Sequence, residues 1–255
     1  MNTLSMTWLV ARHECARLLR SSASWVIAAL FAALAAWLFL SRLEHWLSAQ
    51  TSIGLQDHPP GLAGYLGSNY LAPLAVVLAV LAPLYAMRSF SDEYREATWA
   101  LWQSSPVPTT AIVFGKLMGT CLALTVPLLV VIGMIIAMAI WTPLDAAVVA
   151  SGALGLALCT VASAAAGLYC SSLVRQPMLA AIMAIALLAF LWLLGSTTGV
   201  APWLDALAIL SPGSHLAGFL QGYPNTADLA YFVLFTVLFA VLTLIRLDAL
   251  RHTSD

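Results

Sequence analysis

The segment Ser89–Lys116, SFSDEYREATWALWQSSPVPTTAIVFGK, holds Asp92, Glu93, Arg95, Glu96 and Lys116. These are five of the 21 charged side chains in the chain (10 basic plus 11 acidic). Carboxylates at Asp92-Glu93-x-x-Glu96 form its one acidic cluster, and such a cluster does acid–base work only beside a partner base or metal ligands. None lies at that spacing, so a catalytic role is not expected. Gly115-Lys116 is the only Gly-Lys pair. A phosphate-binding loop needs G-x-x-x-x-G-K-[ST], but Thr110 stands at the first glycine and Leu117 follows the lysine. Neither H-E-x-x-H nor G-x-S-x-G occurs. Cys15, Cys121, Cys159 and Cys170 match no metal spacing and read as small packing residues. His45 and His58 read as surface residues without ligand partners. The chain itself is therefore expected to hold no metal and no cofactor.

The elements that must position this polar segment are apolar. The 255 residues are 62% hydrophobic and 8% charged, with mean hydropathy +0.94. A soluble domain carries roughly a quarter charged residues. Six apolar runs are long enough to cross a bilayer, at about 25–41, 69–87, 117–141, 146–171, 177–195 and 229–245. The expected architecture is all-α, one polytopic membrane domain over 1–255 with six transmembrane helices. The first run is too long for a signal-peptide core.

Basic residues set the orientation. With the N-terminus cytoplasmic, Arg12, Arg17, Arg20, Arg88, Arg95, Lys116, Arg175, Arg246 and Arg251 fall inside and Arg42 alone falls outside. Both termini are then cytoplasmic. Residues 4–20, LSMTWLVARHECARLLR, set Leu4, Trp8, Ala11, Cys15, Leu18 and Leu19 at helical spacing against Arg12, Glu14, Arg17 and Arg20, as an in-plane interfacial helix does. Ala147, Ser151, Gly155, Cys159, Ser163, Gly167 and Ser171 place a small residue at every fourth position of the fourth span. Small faces let backbones approach closely in lipid, so this span is expected deep in the bundle or against a second copy. The outer loop 42–68 is expected to turn at Pro59-Pro60, and 196–228 to form two short re-entrant helices broken at Pro212-Gly213. No ionisable residue sits in the middle of a span, which counts against an ion-driven carrier.

Within the coupling loop 89–116, Phe90, Tyr94, Ala97 and Leu101 share one helical face. Pro106 and Pro108 then stop that helix before Ile112, Val113 and Phe114 lead into the third span. This stretch, F-S-D-E-Y-R-E-A-T-W-A-L-W-Q-S-S-P followed by I-V-F-G-K, resembles the signature of ABC-2 type transporter permeases. Phe90, Asp92, Glu93, Thr98, Leu101, Pro106, Ile112, Gly115 and Lys116 occupy the matching places. Ala97 departs from the usual glycine. ARHECARLLRSSASW is similar to the family's N-terminal interface helix, with Glu14 as its acid. The closing segment from Leu210 is similar to the gliding-motility branch (GldF-like) and to the permease serving nitrous oxide reductase maturation.

The resemblance implies a six-helix fold of the ABC-2, or type V exporter, kind. It further implies a second permease copy in a homo- or heterodimer and a separate ATP-binding-cassette ATPase that binds ATP and magnesium. Glu14, Arg17, Arg20, Phe90, Asp92, Glu93, Arg95, Glu96, Thr98, Leu101, Pro106 and Lys116 become the expected partner-coupling residues. The location implied is a bacterial inner membrane, with export the direction of transport and no nucleic acid involved. The competing reading is a mechanical or signalling component acting on a periplasmic partner through 196–228. An intramembrane enzyme is weaker, for lack of catalytic groups.

Overall fold

The computed structural model describes residues 3–53, 61–96, 98, 102, 107–142, 144–196 and 207–252, and among these it contains helices and no strand. In chain order the helices are α1 (Thr3–Arg20), α2 (Ser22–Ile53), α3 (Leu62–Leu66), a π-helical turn (Gly67–Leu71), α4 (Ala72–Ala86) and α5 (Arg88–Arg95). They continue with α6 (Thr109–Ala139), α7 (Ala146–Leu173), α8 (Pro177–Gly195), α9 (Pro212–Leu220) and α10 (Thr226–His252). Six of these stretches are long and apolar enough to cross a membrane.

Several helices run past the ends that hydropathy sets. The first continues twelve residues beyond Ser41, because residues 42–53 contain charge but neither proline nor glycine. A charge ends an apolar run; it does not end a helix. The expected outer loop 42–68 is therefore helical over 42–53 and from Leu62 onward, and Pro59-Pro60 lies outside the described residues. Arg42 is not at a helix end but half-buried within α2. The second span starts at Leu62 rather than residue 69 and runs to Arg95, interrupted only at Met87. The third starts at Thr109 rather than 117, directly after Pro108, whose extended backbone (φ −67°, ψ 144°) serves as the N-cap. Much of the expected coupling loop 89–116 is thus helical extension of two spans. The last span extends from Thr226 to His252, beyond the expected 229–245.

Helix α7 is the centre of the bundle, touching α4, α5, α6, α8, α9 and α10. Its small face makes this possible. A Cβ at Gly155 would lie 2.5 Å from the Phe219 Cβ, and one at Gly167 would lie 2.8 Å from the Pro83 Cα. Ser151, Cys159, Ser163 and Ser171 are buried along the same face, and Ser151 Oγ donates to the Phe219 carbonyl at 2.8 Å. Ala147, at the end of the series, is exposed. Helix α2 is peripheral and turns Trp25, Leu30, Trp37 and Leu40 outward.

Of the outer segment 196–228, the described part includes the helical residues Leu207 and Ala208 and the short helix α9, started by Pro212 and capped by Ser211 Oγ, which accepts from Gly213 N at 3.3 Å; residues 197–206 lie outside the described residues. His215 fastens it to α10: Nδ1 is 2.7 Å from Asp228 Oδ1, and the ring stacks on Tyr231 with centroids 4.1 Å apart.

Candidate functional site

The charges that the sequence singles out come together at the arginine-rich end of the bundle, where α1 lies against α6. Two glycines one helical turn apart create the seat. A Cβ at Gly115 would lie 2.7 Å from Val10 Cβ, and one at Gly119 would lie 2.6 Å from the Ala11 carbonyl oxygen. Because these positions are bare, α1 settles backbone-close with Ala11, Glu14 and Leu18 buried. Its exposed residues include Leu4 and Trp8, so the face that packs on the protein is not the whole apolar stripe.

That approach drives a carboxylate into the interior. Glu14 is 2% exposed, and Lys116, in the second turn of α6, is equally buried. Glu14 Oε1 accepts from Arg17 Nη2 at 2.6 Å and from Ser89 Oγ at 2.8 Å, while Oε2 lies 3.6 Å from Lys116 Nζ. Lys116 Nζ donates to Glu93 Oε1 at 2.6 Å and to the Ser89 carbonyl at 2.7 Å, and stands 5.0 Å from the Phe90 ring centroid. Burial pushes the Glu14 carboxyl up, but the Lys116 ammonium, the Arg17 guanidinium and the Ser89 hydroxyl outweigh it and hold the group below the ordinary carboxylate range. Lys116 is therefore an internal counter-ion between two acids that belong to different elements, one on α1 and one on α5.

The knot extends outward in steps. Arg17 Nη1 donates to the Arg88 carbonyl at 3.4 Å and lies 4.0 Å from Asp92 Oδ2. Asp92 pairs with Arg95 at 3.3 Å, and Arg95 with Glu96 at 3.7 Å. On the opposite face of α5, Ser171 Oγ accepts from Phe90 N at 3.0 Å and from Ser91 N at 3.1 Å, and donates to the Met87 carbonyl at 2.9 Å. One hydroxyl thus bonds three backbone groups around the break at Met87. Arg251 Nη2, from the end of α10, donates to the Trp102 and Val107 carbonyls at 3.2 and 3.1 Å. Five helices thus converge on one short polar segment.

Between α1 and the start of α6 lies a cavity of about 260 Å³ bordered by His13, Glu14, Arg17, Glu93 and Thr98. Glu93 Oε2 is buried and has no hydrogen-bond partner among the described residues. Among the described residues no group of His, Cys, Asp or Glu side chains could hold a metal ion. Buried opposite charges on α1, α5 and α6 fix the geometry of these helix ends relative to one another.

Of the residues expected to couple to a partner, Glu14, Arg17, Phe90, Asp92, Glu93, Arg95, Glu96, Thr98 and Lys116 lie in or around this knot. Arg20 is exposed at the end of α1 and makes no ion pair among the described residues. Leu101 and Pro106 lie outside the described residues. Glu14, Glu93 and Lys116 face one another instead of presenting charge outward; Arg95 and Glu96 are the exposed members, at 61% and 62%. Residue patterns did not single out Ser89, whose hydroxyl and carbonyl serve both sides of the knot. Nor did they single out Gly119, although the G-x-x-x-G spacing from Gly115 is a signal for close helix approach.

The model of the family described as ABC-2 family transporter protein matches this chain over residues 8–249. No curated protein matches it.

Proposed function

This chain belongs to the ABC-2 transporter family, as a multi-pass membrane component, and we propose that it is a permease driven by a separate ATP-binding-cassette subunit. The knot around Lys116 is the observation that carries this reading. A permease without a phosphate-binding loop must receive its stroke through contact, and here the N-terminal helix, the end of the second span and the start of the third are pinned by one buried ammonium. A push on any one of them moves the others, because parting them would strand a buried charge. The exposed Arg95 and Glu96, with Arg12 and Arg20 of α1, form the face offered to the ATPase, while Glu14, Glu93 and Lys116 act behind it. ATP and magnesium then belong to the partner.

On the same reading the basic end is cytoplasmic, both termini lie on the cytoplasmic side of a bacterial inner membrane, and a second permease copy completes the pathway for export. The closing segment from Leu210 supports placement near the gliding-motility branch. The test is to purify the tagged chain from its native membrane. ATPase activity is expected to co-purify, to be absent from the chain alone, and to be recovered less with the exposed pair reversed (Arg95→Glu with Glu96→Lys). Solute movement by the chain in vesicles without an ATPase would overturn the proposal.

A second reading has its own observation. The span that ends in the knot rests, one turn past its start, at Gly67 against the backbone carbonyl of Leu220 in α9. A stroke delivered at one membrane face therefore reaches the short helix at the other, as a component working on a periplasmic partner requires. Nucleotide-dependent flux in proteoliposomes containing both subunits favours the permease; ATP turnover without flux favours the mechanical role.

A further inference from the structure

Arg88 is exposed two turns before the end of the second span and makes no ion pair among the described residues. Its side chain borders a groove of about 520 Å³ between the second span and α8. The floor is apolar, built from Leu84 and Met87 on one side and Ala181, Ile182 and Ile185 on the other. Helical spacing explains the layout: Leu84, Arg88, Asp92 and Arg95 follow one another at intervals of three or four residues and so share a face. Along that face the chemistry passes from hydrocarbon to charge within two turns. At the rim Asp92 is paired with Arg95 at 3.3 Å, which leaves the Arg88 charge without a counter-ion.

An apolar trough that ends in an uncompensated guanidinium fits an amphiphilic anion. An inorganic anion would leave the trough walls uncovered, and an apolar helix would leave Arg88 unpaired. We propose that the groove holds an anionic phospholipid of the surrounding bilayer, with its phosphate on Arg88 and an acyl chain along Leu84, Ile182 and Ile185. The site rests on these helices crossing a membrane; only its assignment to the cytoplasmic leaflet rests on the orientation under Proposed function. A lipid held there would touch α5, so the position of the knot would depend on headgroup charge.

The test uses the full-length chain with its co-purifying subunits, delipidated in detergent and examined by native mass spectrometry. The probes are phosphatidylglycerol, phosphatidylcholine of the same acyl chains, and inorganic phosphate. One arginine near the headgroup predicts retention of phosphatidylglycerol over phosphatidylcholine by about five-fold. Arg88→Gln should erase that preference and Arg88→Lys should keep it. Ile182→Trp, at a side chain already 55% exposed, should weaken both lipids by filling the trough. Equal retention of the two lipids, or an unchanged preference in Arg88→Gln, would overturn the proposal. So would displacement of phosphatidylglycerol by millimolar inorganic phosphate, which would mark a soluble-anion site. Ready disulfide cross-linking of Ile182→Cys to a second copy in native membranes would also overturn it, since the groove would then be a contact between chains. None of these readouts uses ATP or transport, so their failure leaves the permease reading standing, and the converse holds.

Discussion

Lys116→Met removes the ammonium while keeping most of the side-chain volume, and the structure says where the cost falls. Glu14 keeps Arg17 at 2.6 Å and Ser89 at 2.8 Å. Glu93 loses its one side-chain hydrogen bond, and its second oxygen already has none. The side chains are 3% exposed for Lys116 and 13% for Glu93, so the stranded carboxylate cannot turn fully to water. Breaking a buried pair from one side costs about 3–5 kcal/mol, and the cavity beside Glu93 favours the lower end, about 3 kcal/mol. Adding Glu93→Gln to Lys116→Met removes the stranded charge and should return about 2 kcal/mol of that loss. Reversible unfolding in mixed micelles, followed by tryptophan fluorescence, supplies the four corners of the double-mutant cycle. A cost below about 1 kcal/mol for Lys116→Met, or no recovery on adding Glu93→Gln, would refute Lys116 as the counter-ion that holds the knot.

Two further outcomes are expected. Gly119→Ala places a methyl 2.6 Å from the Ala11 carbonyl oxygen, so it should cost about 1–3 kcal/mol and expose α1 to limited proteolysis. Gly133→Ala, with nothing within 4 Å, should leave α1 protected. The Glu14 carboxyl is depressed in the fold, so its contribution is complete above the unfolded carboxylate value and is lost as pH falls through the lower folded value. Unfolding midpoints measured down the acid limb should therefore drop less steeply in Glu14→Gln than in the unsubstituted chain.

How far the fold could be read from sequence depended on what marks each boundary. The fifth span was bounded correctly because Pro177 and Gly195 are backbone signals. The fourth began correctly at Ala146, after Asp145, whose carboxylate accepts from Ala147 N at 2.9 Å. Where the first charge marks the edge of an apolar run, as at Arg42, the expected end falls short, since helical backbone tolerates charge. The members of the knot were legible as types: acids and a lysine in a chain with few of either. Their pairing was not, because hydropathy says nothing about which face of α1 meets which turn of α6. From sequence the acids read as coupling groups that pair with arginines of a partner or of their own face; Glu14 does pair with Arg17, and Gly115 and Gly119 also bring it inward to Lys116. Ser171 was legible only as one more small residue; its use as a splice for the broken turn at Met87 depends on tertiary placement.

The second span joins two regions that no other described helix joins in this way. From Leu62 to Arg95 it is about 50 Å long at 1.5 Å per residue, somewhat more than the roughly 40–45 Å of a bilayer with its headgroups. At its head Gly67 rests on the Leu220 carbonyl, and near its foot Ser89 grips both Lys116 and Glu14. Information about an event on one side of the membrane therefore needs no bucket brigade of side chains through the hydrocarbon. A single stretch of backbone, interrupted only at Met87, spans the whole distance, so a tilt of its foot is expected to shift its head.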